Sequence, residues 1–218
     1  LVKILIAGTA LTTLPLTLAY AGASTNNSAP PSSTILNGQV DFHVQQSTLN
    51  VNVTDAAGNV SGQSVAGGNA VDITTMSNTE VTNNQYVSSV NVGADMNANV
   101  HNVNGTVGLS SQAVCNSASV SMDPTSTNVY SNQECNAVDP SATLNANVGN
   151  IGNDVSLAST AVGNTFEEDT NAKYGAVQNY QINNSNVYST ANTNVANVAG
   201  NVSVTAAAIG NTAQIVHY

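Results

Sequence analysis

Arginine and tryptophan are absent from these 218 residues, and Lys3 and Lys173 are the only lysines. A chain so poor in cations cannot neutralise phosphates, which excludes nucleic acid as a partner. The same shortage argues against electrostatic docking on anionic lipid. Charged residues make up only 6% of the chain, against about 25% in typical domains. Aromatics make up 4%, too few for a large aromatic-packed core. A core of Val, Ile and Ala between closely spaced layers remains open. The twelve carboxylates all follow residue 40 and give a net charge of -10, which keeps a sparsely charged surface soluble.

What fills the chain is Asn, with 34 copies, together with Ser, Thr, Ala, Val and Gly. The asparagines keep time. One series is Asn52, Asn99, Asn147 and Asn194, and a second is Asn69, Asn116, Asn164 and Asn211. Both step by 47, 48 and 47 residues. Gln39, Gln85, Gln133 and Gln181 follow with steps of 46, 48 and 48. A fixed period of this size is the signature of a stacked-repeat architecture.

Within each unit the apolar residues alternate. Val103, Val107, Leu109 and Ala113 do so in one copy, and Val198, Val202, Val204 and Ala206 in another. Period two means strands with one face in and one face out. Asn and Gly interrupt helices, and no later stretch has a convincing amphipathic helical pattern. The expected fold is all-β, a repeat β-solenoid (parallel β-helix) of about four units over residues 35–218. Each unit is either two turns of about 23 to 24 residues or one flattened turn with long sides. An antiparallel meander is the alternative. In stacked coils, equivalent amides lie about 4.8 Å apart and can bond along a ladder. Gly68-Asn69, Gly163-Asn164 and Gly210-Asn211 read as tight left-handed corners.

Residues 1–21 read as a secretory signal peptide: Lys3, an apolar run over 4–18, then the cleavage site Ala19-Tyr20-Ala21. Residues 22–34, with Pro30-Pro31, read as a flexible leader. No later run is apolar enough to span a bilayer as a helix.

Chemistry-bearing residues are few. Cys115 and Cys135 are the only cysteines, and in an exported chain they are expected to pair as a structural disulfide. His43, His101 and His217 occupy no equivalent positions and read as solvated. Gly67-Gly68-Asn69-Ala70-Val71-Asp72 is a degenerate calcium nonapeptide lacking its fourth-position Gly, and no metal or other cofactor is expected. Glu167-Glu168-Asp169 reads as a solvated loop. The sequons at Asn52 and Asn59 arise easily in such text. No catalytic set stands out, and a polysaccharide lyase on a β-helix would want Arg and Lys that are missing. Thr ranks for ice binding do not align from unit to unit.

The phrases TAVGNTF (160–166) and AAIGNTA (207–213), set in an exported Asn/Ala/Val-rich repeat, resemble the holdfast anchor proteins (HfaD-like) of stalked alphaproteobacteria. That resemblance implies a non-enzymatic surface protein that anchors an adhesive polysaccharide and passes through an outer-membrane secretion component. The chain also resembles curlin-type repeat proteins in its periodic Asn and Gln, but its period is about twice theirs. A fibre subunit is the alternative that this second resemblance implies. Because the last unit closes without a charged cap, self-association at an open solenoid edge is expected.

Overall fold

The computed structural model describes residues 33–217, apart from 77, 90, 123–125, 137–138 and 172–173. The expected signal peptide and most of the expected leader lie outside the described residues. Twelve strands follow one another with no helix among the described residues. β1 (Ser33–Asp41), β2 (Gln45–Ala56) and β3 (Val60–Thr75) form coil 1. β4 (Thr79–Val87), β5 (Val92–Val103) and β6 (Val107–Met122) form coil 2. β7 (Ser126–Cys135), β8 (Pro140–Ile151) and β9 (Val155–Thr170) form coil 3. β10 (Tyr174–Asn183), β11 (Tyr188–Val198) and β12 (Val202–His217) form coil 4. β1 therefore takes in the last two residues of the expected leader.

Each strand pairs in parallel with its counterpart one coil away, giving three four-stranded sheets: β1-β4-β7-β10, β2-β5-β8-β11 and β3-β6-β9-β12. The chain is thus a parallel β-solenoid with one turn per repeat, and the two-turn unit and the meander are ruled out. The unit length follows from the sides: strands of 9, 12 and 16 residues plus short turns in coil 2.

The 16-residue side holds a register slip. In β6, Val107, Leu109, Ser111, Ala113 and Cys115 face inward; from Asn116 the inward set becomes Asn116, Ala118, Val120 and Met122. A one-residue slip moves every later side chain to the other face. Cα pairing accordingly skips one position, running Gly67↔Val114 and resuming at Asn69↔Asn116. Gly68, Cys115, Gly163 and Gly210 sit at this slip. No described glycine has positive φ, so these positions are not the left-handed corners expected from the sequence. Gly68 is there for closeness: a Cβ on it would meet Cys115 O at 2.6 Å and Val87 Cγ2 at 2.8 Å. The true left-handed residues are Asp55, Asn102, Asn150 and Asn197, with φ of 66°, 54°, 57° and 54°. They bend the chain one position before β2, β5, β8 and β11 end, where Asn and Asp tolerate that conformation.

The slip gives the interior two lobes and a waist. One lobe packs Met96, Val100, Leu144 and Val148 against Val107, Leu109, Val155 and Leu157. The other packs Val81 and Val129 against Ile73, Val120, Met122 and Phe166. Between them lie small residues, Ala94, Ala113, Ala142 and Ala161, with both cysteines. Few large side chains are needed because the layers approach closely at the waist.

Candidate functional site

The periodic amides make five ladders along the solenoid axis. Two are internal. Gln133 Nε2 donates to Gln85 Oε1 (2.8 Å) and to Thr165 O (2.9 Å), while its own Oε1 accepts from Gln181 Nε2 (2.8 Å). Gln85 continues the ladder to Gln39 at 2.8 Å. Asn116 Nδ2 donates to Asn164 Oδ1 (2.7 Å) and Glu134 O (3.0 Å), and Asn116 Oδ1 accepts from Asn69 (3.0 Å). Asn164 passes the ladder on to Asn211 at 2.8 Å. The Gln ladder ties the first side of a coil to the third side of that coil. The Asn ladder ties the third side to the first side of the next coil. Together they satisfy the polar groups that an apolar interior would otherwise penalise.

Three ladders are external. Asn99 donates to Asn52 (3.3 Å), Asn147 to Asn99 (3.1 Å) and Asn194 to Asn147 (3.0 Å). Two residues earlier, Asn97 donates to Asn50 (3.1 Å), Asn145 to Asn97 (2.9 Å) and Asn192 to Asn145 (3.0 Å). At the left-handed bend, Asn102 donates to Asp55 (2.7 Å), Asn150 to Asn102 (2.8 Å) and Asn197 to Asn150 (3.0 Å). The landmarks of the sequence thus fall into two classes, two buried series and one exposed. The Asn50 and Asp55 series escaped the sequence reading, although they keep the same period two residues before and three residues after Asn52.

The two mid-strand Asn columns flank a shallow open groove on the outer face of β2-β5-β8-β11, floored by the main chain of the inward-facing Val51, Ala98, Ala146 and Thr193. His101 lies at its side, its Nε2 2.9 Å from Asn99 Oδ1 and 3.2 Å from Asn147 Nδ2. His43 and His217 are exposed. Cys115 and Cys135 are joined as a buried disulfide, with Cα atoms 6.0 Å apart. It crosses from β6 of coil 2 to the end of β7 in coil 3.

The acidic run is not the solvated loop expected of it. Glu167, Glu168 and Asp169 lie within β9, and Glu168 points inward, with no exposed surface and no hydrogen-bond partner for either oxygen. It occupies a column otherwise made of Ile73, Val120 and Ile215. Burial, with a smaller contribution from Asp169, pushes its carboxyl up to about 7. Among the described residues no three His, Cys, Asp or Glu side chains group as a metal site would require.

The family model described as HfaD, holdfast attachment protein D, matches residues 9–218. No curated protein and no solved structure matches the chain.

Proposed function

The chain belongs to the holdfast attachment protein D family, whose role is attachment of the holdfast at the cell surface, and from that premise we propose that it acts as a non-enzymatic surface anchor. In this reading it holds an adhesive polysaccharide to the outer envelope after export through an outer-membrane secretion component. The observation that carries the reading is the unbroken run of amide ladders through all four coils. They join the coils of a slender solenoid by side-chain as well as main-chain bonds, and on one flank they remain exposed. A tether that bears load gains from such repeated lateral bonding, whereas a catalyst needs a pocket with activated groups. The test is deletion and complementation in the native cell. Loss of the gene should leave the adhesive polysaccharide made but shed into the medium, with re-expression restoring retention. Unchanged retention in the deletion strain would remove the reading.

A second reading, a curlin-like fibre subunit, is favoured by one observation. In coil 4 the core columns open outward: Val204 is 44% and Ile215 51% exposed, whereas Leu109 and Val120 in the same columns are buried. Self-association through that side would cover them. The two readings are compatible, since an anchor built of stacked copies is also a fibre.

A further inference from the structure

The groove between the two exposed Asn columns is more specific than a polar surface. Asn is a poor strand former, yet it fills four of four positions in each of two mid-strand columns: Asn50, Asn97, Asn145 and Asn192, then Asn52, Asn99, Asn147 and Asn194. Nothing in the fold requires this. The buried Asn69 series closes the interior and the Asn102 series makes a left-handed bend, but these eight face solvent at the middle of strands, where Thr or Ser would pair as well.

Each of these amides uses one N–H or one oxygen lone pair on each ladder neighbour. A carboxamide has two N–H donors and two acceptor lone pairs, so a rung keeps one of each for something outside, except beside His101, whose Nε2 takes up the spare group of Asn99 or Asn147. The rungs repeat at about 4.8 Å and the columns stand about 7 Å apart, two residues along a strand. A periodic receptor of this kind matches a periodic ligand lying along the axis. Charge selects its chemistry. The columns carry no ionised group, and of the positions that border them on the same face only Asp95 is a carboxylate, with Thr48, Thr143 and Thr190 in its column. Among the described residues no Lys or Arg stands at the groove to pair with an anionic polymer, His101 being the one basic side chain beside it, and there is no large apolar side chain among the groove walls to seat an amphipathic helix.

The geometry points to the groove between Asn97 and Asn99, and their equivalents in the other coils, as the binding face for an extended, uncharged polysaccharide running along the solenoid axis. This rests on the anchor reading and adds the face, the ligand class and its direction. Each sugar meets the same donors and acceptors as the last, so weak contacts add along the chain.

The test is binding of the purified full chain to an array of linear oligosaccharides: neutral glucan, mannan, galactan and acetamido-sugar oligomers, with uronate oligomers as the anionic arm. The parent should bind at least one neutral class and leave the uronates. Replacing Asn97, Asn99, Asn145 and Asn147 by Ser should weaken that binding by roughly tenfold or more, since several modest hydrogen bonds are lost together. Asn99→Lys, a single exposed change that fills the groove, should do the same and guards against a folding defect in the fourfold variant. Gln112→Ser on β6 should leave binding unchanged. Binding to no neutral oligomer, preference for uronates, or undiminished binding by both groove variants overturns the proposal. So does a parent that only self-associates through this face. Such a failure is separable from failure of the anchor reading, because retention of polysaccharide by deletion and complemented cells is scored independently.

Discussion

Cys115 and Cys135 occupy the slot that Gly68 and Val87 fill one coil earlier. Cys115 aligns with Gly68 and Gly163 at the register slip, and Cys135 aligns with Val87 and Asn183 at the strand end. Elsewhere the slot is filled by a bare glycine against a larger neighbour, with Val87 set against Gly68 and Asn183 against Gly163. The disulfide therefore replaces a packing contact rather than adding a brace outside the repeat. It closes a loop of 20 residues, which corresponds to about 3 kcal/mol in the loop-entropy model. Intact mass with and without reductant should show the bond in native protein. Cys115→Gly with Cys135→Val should restore the coil 1 solution and fold, with a lower urea midpoint than the parent. A midpoint equal to the parent's would mean that the crosslink contributes no stability.

Glu168 predicts a pH dependence of the third coil. Its folded carboxyl titrates near 7, raised from 4.5 by burial and then by Asp169. The folded state thus holds a proton that the unfolded chain releases at lower pH. Stability from this group is fully present below about 4.5 and is lost progressively as pH rises through about 7, a change on the order of 3 kcal/mol. Glu168→Ile, matching Ile73 and Ile215 in the same column, should remove this slope and raise stability at pH 8. Parallel parent and variant curves of urea stability between pH 4 and 8 would sink the assignment.

The fold was legible because the cause of the repeat is local in the third dimension: residues 47 or 48 apart lie one rung apart. Asn116, for instance, sits between Asn69 and Asn164, so a one-dimensional step reports a direct bond. What the step could not report is which way a side chain faces. Asn99 and Asn116 look alike in the text, yet one is solvated and the other sealed. The face is set by the slip at Cys115, and nothing in the alternation announces it, because Val114 beside it faces outward despite its apolar side chain. The same slip explains why Gly163-Asn164 resembled a left-handed turn. Glu168 was misread for a related reason: an acidic triplet suggests solvent, but alternation along β9 turns its middle member inward.

That difference between like residues can be measured. Asn116→Ala removes two donated bonds and one accepted bond in the sealed interior, leaving Asn69, Asn164 and Glu134 O short of a partner. The cost should be about 2–4 kcal/mol. Asn97→Ala removes ladder bonds that water can replace, and should cost under about 1 kcal/mol. Urea denaturation of both variants checks the ordering. Equal losses would contradict the division of the ladders into a structural pair and an exposed set.

The ladders also have direction, and direction predicts how copies would meet. In the Gln series and the three external series, each later coil donates to the earlier one; in the Asn69 series the earlier donates to the later. On the open side of coil 4, Gln181, Asn192 and Asn194 therefore present acceptor oxygens, while Asn50 and Asn52 on the open side of coil 1 present N–H donors. Head-to-tail contact between two copies continues these ladders in register; head-to-head contact sets acceptor against acceptor. One rung does not fit: Asp55 cannot donate to Asn197, whose Oδ1 lies free while its Nδ2 bonds Asn150. Asn52→Cys combined with Asn194→Cys should thus give a disulfide-linked series of oligomers under mild oxidation, and Asn194→Cys alone should not. Adding Asp55→Asn supplies the missing donor, keeps a residue that tolerates φ of 66°, and should lower the concentration at which oligomers form. Crosslinking by Asn194→Cys alone would show the opposite polarity. A double-cysteine protein that stays monomeric at high concentration would show that these edges do not meet.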